Sequence, residues 1–186
     1  MKAIVIEPDR TVWPGVDSAV LRPGEPVFVA DPADAWRCRV VPAVRISRLG
    51  MHISPANVHR HIDAITVFHL MTPATPCAGM APGLIDRTFS PGDWMPLDSD
   101  GYSSTFSLRV ARGPIGGDAA EEIAVEFSPD ALGVTLEIAR LSQMCTFRTG
   151  DVILFAEAGA EIGPPCLDTF VRATLNGHDT LNIRIK

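Results

Sequence analysis

Apolar positions in this chain mostly recur with a period of two, in short runs cut by turn residues. That is the pattern of strands with one buried face. Residues 2–6 (Lys-Ala-Ile-Val-Ile) open it and stop at Glu7-Pro8-Asp9. A second short run over 26–30 ends at an Asp31-Pro32 turn signal. Val and Ile then mark 39–47 as a strand closed by Gly50. Ser54-Pro55 is a helix start, because the Ser hydroxyl can cap free N–H groups and Pro suits the first helical position. The short helix 55–62 leads into an apolar strand over 64–71. Between Thr72 and Asp100 the pattern dissolves among Pro73, Pro76, Pro82, Pro91 and Pro96, a length of irregular chain that in compact domains is usually functional or mobile.

Strict alternation returns over 105–111 (Thr-Phe-Ser-Leu-Arg-Val-Ala) and predicts a strand, a turn at 113–117 and a returning strand over 122–127. Ser128-Pro129-Asp130 repeats the capping signature. The period then changes to that of a helix, with Leu132, Thr135, Leu136, Ile138 and Ala139 forming a stripe that runs to about Leu141. A strand over 152–156 and a hairpin of 170–175 with 180–185 about Asn176-Gly177 complete the series. Many strands, two short helices and no βα alternation predict a β-rich α+β fold with mixed sheets, in one domain over 1–186.

A net charge of −6 argues against a nucleic-acid or anionic-membrane surface. No apolar run approaches a membrane span of roughly 20 residues, and the N-terminus lacks a signal-peptide core, so a soluble cytoplasmic protein is expected. Cys38, Cys77, Cys145 and Cys166 are too widely spaced for a zinc site and read as free thiols. There is no nucleophile elbow, Walker loop or dinucleotide fingerprint.

Three stretches in order carry a family resemblance: Glu25-Pro26-Val27 with Asp31-Pro32, then Ala43-Val44-Arg45-Ile46-Ser47-Arg48-Leu49-Gly50, then Phe147 to Ile153 (Phe-Arg-Thr-Gly-Asp-Val-Ile). Together the chain resembles fumarylacetoacetate hydrolase-like proteins, Mg²⁺-dependent hydrolases, decarboxylases and isomerases of keto acids. The resemblance implies a mixed β-sandwich or β-roll, a small-molecule substrate and a homodimer. It also exposes absences. The positions implied for the two metal-binding Glu fall on Arg39 and Val41, and that for the Asp falls on Leu70. No one-residue slip restores them, since no acidic residue lies between Arg37 and Asn57. A Lys position falls on Gly83, while the Asp three residues later is kept as Asp86. The two Thr positions near the C-terminus fall on Phe155 and Glu157.

No metal or other cofactor is therefore expected. His69, Glu157 and Asp86 are the candidate catalytic groups: His69 because it neighbours the lost Asp, Glu157 because a strand-end carboxyl can carry a raised pKa, and Asp86 because its position matches. Arg45, Val41, Leu70, Trp94 and Phe155 are the candidate substrate-binding residues, with Arg45 able to hold a carboxylate in a bidentate contact. The leading expectation is a metal-independent isomerase or cyclase in specialised metabolism, possible even for a pericyclic step, which needs shape and dryness more than metal. A non-catalytic binding or partner subunit is the alternative. A Mg²⁺-dependent hydrolase or decarboxylase with carboxylates such as Asp86, Asp93 and Glu157 regrouped is the third.

Overall fold

A computed structural model describes residues 1–29, 36–74, 81–98 and 100–186. The strands are β1 (Ala3–Ile6), β2 (Val12–Gly15), β3 (Trp36–Ile46), β4 (Ile62–Pro73), β5 (Phe89–Pro91), β6 (Met95–Pro96), β7 (Phe106–Pro114), β8 (Glu121–Phe127), β9 (Val152–Phe155), β10 (Ala160–Glu161), β11 (Thr169–Leu175) and β12 (His178–Ile185), with helix α1 (Val134–Ser142) between β8 and β9. A larger sheet runs β2-β1-β9-β3-β4-β5, with β10 added to β3 and β6 to β4. A four-stranded antiparallel sheet runs β12-β11-β7-β8. Among the described strands, β1 and β9 pair in parallel and the other pairs of the larger sheet are antiparallel, which makes it mixed.

The long β3–β4 ladder is the spine. Its two faces are both buried, so its residues read as nearly continuous apolar runs. On one face Val40, Val44, Ile65, Val67 and Met71 meet Leu108, Val110, Val171 and Ile183 of the smaller sheet in the main core. On the other face Val41, Ala43, Phe68 and Leu70 join a second, separate apolar cluster. Helix α1 packs Val134, Ile138 and Leu141, spaced by four and three, on the main core and leaves Leu136 outside. Its buried Glu137 is held by Arg140 at 2.7 Å and by Arg10.

The predicted strands are all present except the one over 26–30, of which the described residues 26–29 form no strand and Val27 makes an isolated bridge to Ile185. The expected helix 55–62 is a 3₁₀ turn, Pro55–Arg60, and Ser54 makes no side-chain cap to it. The Asn176-Gly177 turn has φ of 52° and 79°, the positive pair that a tight primed hairpin turn requires. The Asp31-Pro32 signal and Cys77 lie outside the described residues. No helix among the described residues is long and apolar enough to cross a membrane.

Candidate functional site

Alternation along β3 and β4 decides which side chains can share a site. Arg39, Val41 and Ala43 point to the second cluster, and their ladder partners Leu70, Phe68 and Thr66 point the same way. The implied metal positions thus do converge: Arg39 is registered directly opposite Leu70, with Val41 two residues on. What converges is apolar. Val41 and Leu70 are 0% exposed, packed with Phe68, Phe89, Val5, Leu154 and Ala156. Trp13 closes on Phe89 edge-on at 5.8 Å, and Trp94 on Phe68 at 6.2 Å.

Arg39 ends this cluster with a polar knot. Its Nη1 and Nη2 donate to Glu7 Oε2 and Oε1 at 2.8 and 2.9 Å, and Trp13 Nε1 donates to Glu7 Oε1 at 3.1 Å. These donors hold the Glu7 carboxyl below the usual carboxylate range, the Arg39 hydrogen bond foremost. The two side chains are 11% and 22% exposed, and Arg39 Nε is buried without a partner among the described residues. Glu7 and Trp13 were not legible as site residues, although the short β1–β2 hairpin that joins them begins at the Glu7-Pro8-Asp9 turn.

The other candidates are dispersed. His69 faces the main core, opposite Val40 and Ser90 and away from Leu70, because neighbouring residues of a strand face opposite sides. Phe155 likewise lies in the main core. Glu157 is exposed on the 3₁₀ turn Ala156–Ala158. Asp86 is exposed and accepts from Ser18 Oγ at 2.5 Å, tying its loop to the turn Asp17–Ala19. Arg45 is on the site face, but Asp63 takes its guanidinium in a bidentate pair at 2.8 and 2.9 Å while it lies 5.1 Å over the Trp94 ring. Trp94 lines the apolar cluster from its edge. Cys38 is a buried thiol pushed up to about 12 by desolvation, and is inert at neutral pH.

A divalent ion does not fit the described residues at the implied positions. Mg²⁺ takes oxygen ligands, whereas Val41 and Leu70 have no lone pair and Arg39 is itself a cation already neutralised by Glu7. No three His, Cys, Asp or Glu side chains among the described residues are grouped to hold a metal, so Asp86, Asp93 and Glu157 do not regroup. Gly83, at the implied Lys position, is closely packed. Its carbonyl accepts from Val16 N at 3.0 Å, and a Cβ there would stand 2.7 Å from Gly15 Cα and closer still to the Pro14 carbonyl oxygen. A Lys has no room unless β2 moves. Gly83→Ala is expected to cost about 3 kcal/mol of unfolding free energy, read by urea denaturation.

The mixed sheet, the β3–β4 spine and the four-stranded sheet packed across it define the fumarylacetoacetate hydrolase fold. Among solved structures, the chain is similar to 2-hydroxyhepta-2,4-diene-1,7-dioate isomerase from Mycobacterium marinum, with a TM-score of 0.79 and 19% identity over 99% of this chain and 73% of that one. It is similar to a protein assigned to the fumarylacetoacetate hydrolase family from Yersinia pestis, with a TM-score of 0.77 and 17% identity over 100% and 92%. It is also similar to fumarylpyruvate hydrolase from Pseudomonas aeruginosa in complex with Mn²⁺ and pyruvate, with a TM-score of 0.77 and 14% identity over 100% and 89%. No family model matches the chain, and no curated protein does.

Proposed function

We propose that this protein is a metal-free member of its fold class that acts as a non-catalytic binding or partner subunit. The observation that carries this is the filled corner of the site: Val41 and Leu70, fully buried in a contiguous apolar cluster, stand where an ion and its substrate would need space and oxygen ligands. The dispersal of His69, Glu157 and Asp86 supports the same reading, since general acid–base work needs groups within hydrogen-bond reach of one reacting atom. Such a subunit serves by association with a metal-competent chain of the same fold. Co-expression with such a homologue from the same genome tests it. Stable co-elution of the pair, with turnover residing in the partner, is the expected outcome; turnover of a keto-acid substrate by this chain alone overturns it.

The second reading, a metal-independent isomerase or cyclase, is favoured by one observation. The Glu7–Arg39–Trp13 knot puts a guanidinium and an indole N–H beside a dry apolar wall. A fixed cation there can stabilise an enolate oxygen as it forms. This reading requires Glu7 to yield Arg39 to the substrate. Arg39→Met would then abolish turnover, whereas under the partner reading it changes stability alone.

A further inference from the structure

A second concave region of the molecule lies far from Arg39. From Arg39 to Ile46, β3 carries the chain about 23 Å to its other end. There the loop after β3 and the turn Pro55–Arg60 enclose a groove of about 670 Å³ whose walls include Arg48, Leu49, Met51, His52, Arg60 and His61. The chain as a whole carries a charge of −6, yet no Asp or Glu occurs between Ala35 and Asp63, and none lines this groove. Asp63 itself is occupied by Arg45. Neither Arg48 nor Arg60 has an ion-pair partner among the described residues. Leu49 and Met51 stand 69% and 48% exposed between them.

Backbone hydrogen bonds tie the groove to its neighbours. Gly50 exchanges hydrogen bonds with Phe147 at 2.8 and 3.1 Å, Ser47 N donates to the His61 carbonyl at 2.8 Å, and His52 N donates to the Ser142 carbonyl at 2.8 Å. Its floor depends on the missing side chain of Gly50, where a Cβ would lie 2.8 Å from the His61 ring and 2.7 Å from Ile53 Cδ1. Two guanidinia without an ion pair among the described residues and two exposed apolar side chains in one groove complement a strand or turn that alternates carboxylates with apolar residues.

We propose that this groove is the docking site for an acidic polypeptide segment of a partner protein, one that carries Leu or Met among its carboxylates. The proposal goes beyond the reading above, and it stands whether or not this chain turns over a substrate. Anisotropy of a short fluorescein-labelled peptide, with Glu and Asp interspersed with Leu, provides the test. The peptide is expected to bind saturably, to bind about tenfold more weakly to the double variant R48E/R60E, and to weaken with added salt, while a counterpart with Lys in place of the acids does not bind. Arg48 and Arg60 are exposed, so the variant is expected to unfold at the wild-type temperature. Equal affinity for wild type and variant overturns the proposal. So does displacement by inorganic phosphate at equal concentration, which marks a small-anion site. Binding confined to phosphatidylserine vesicles overturns it as well, and marks a lipid surface.

Discussion

Replacing Val41 by Glu is expected to lower the unfolding free energy by at least about 4 kcal/mol. The substitution restores one carboxylate implied by the family resemblance, and in an open metal site it would cost little. Here the position has no room and no solvent. Val41 is registered against Phe68, and its Cγ1 lies 2.6 Å from where a Cβ on Gly159 would be. A longer side chain must displace that contact and bury a carboxyl among hydrocarbons. Urea denaturation with and without Mn²⁺ measures the effect. The loss is expected to persist at saturating Mn²⁺, and wild-type stability for Val41→Glu would mean that the cavity is open.

Lowering the pH from about 7 to about 4 is expected to remove about 3 kcal/mol of stability through His69 alone. The imidazole is fully buried in the main core, and desolvation pushes it down from 6.5 to about 4. Neither ring nitrogen has a partner among the described residues, and neither does the Ser90 hydroxyl opposite it. The unfolded chain takes up a proton near 6.5, while the folded one holds a neutral ring until about 4. Stability is therefore complete above 6.5 and falls as the pH drops through that window. His69→Phe removes the titration and keeps a flat ring in the core. The difference in stability between wild type and variant is expected to shift by about 3 kcal/mol across this range in the variant's favour. An unchanged difference would show that His69 is hydrated or paired in the folded protein.

The side on which His69 faces was within reach of the sequence. If residues 39, 41 and 70 share a face, the period of two puts 69 on the other, and the same reasoning turns Phe155 away from Leu154. The strands of the spine were visible because β-branched runs buried on both faces leave a strong signal. The edges were not: β2, β5 and β6 contain Pro14, Pro91 and Pro96, residues that mark turns in a sequence but are tolerated in edge strands. That 39, 41 and 70, the positions the resemblance implies for metal-binding carboxylates, hold none was legible in the sequence. The packed core that stands there was not, since it depends on a covering segment. Val20 bridges to Phe89 and Leu21 N donates to the Phe89 carbonyl at 2.8 Å, and this long-range contact lays Val16, Ala19 and Val20 against the site face. Glu7 as the counter-charge for Arg39 is equally a product of tertiary approach across 32 positions.

A Mn²⁺ titration followed by the electron paramagnetic resonance of the free ion tests most directly whether the corner formed by Arg39, Val41 and Leu70 is closed to metal, as proposed. The free signal is expected to rise in proportion to the metal added, with no stoichiometric uptake and no change in melting temperature. Uptake of one Mn²⁺ per chain, lost in a Glu7→Gln variant or in any other single carboxylate variant, would contradict it.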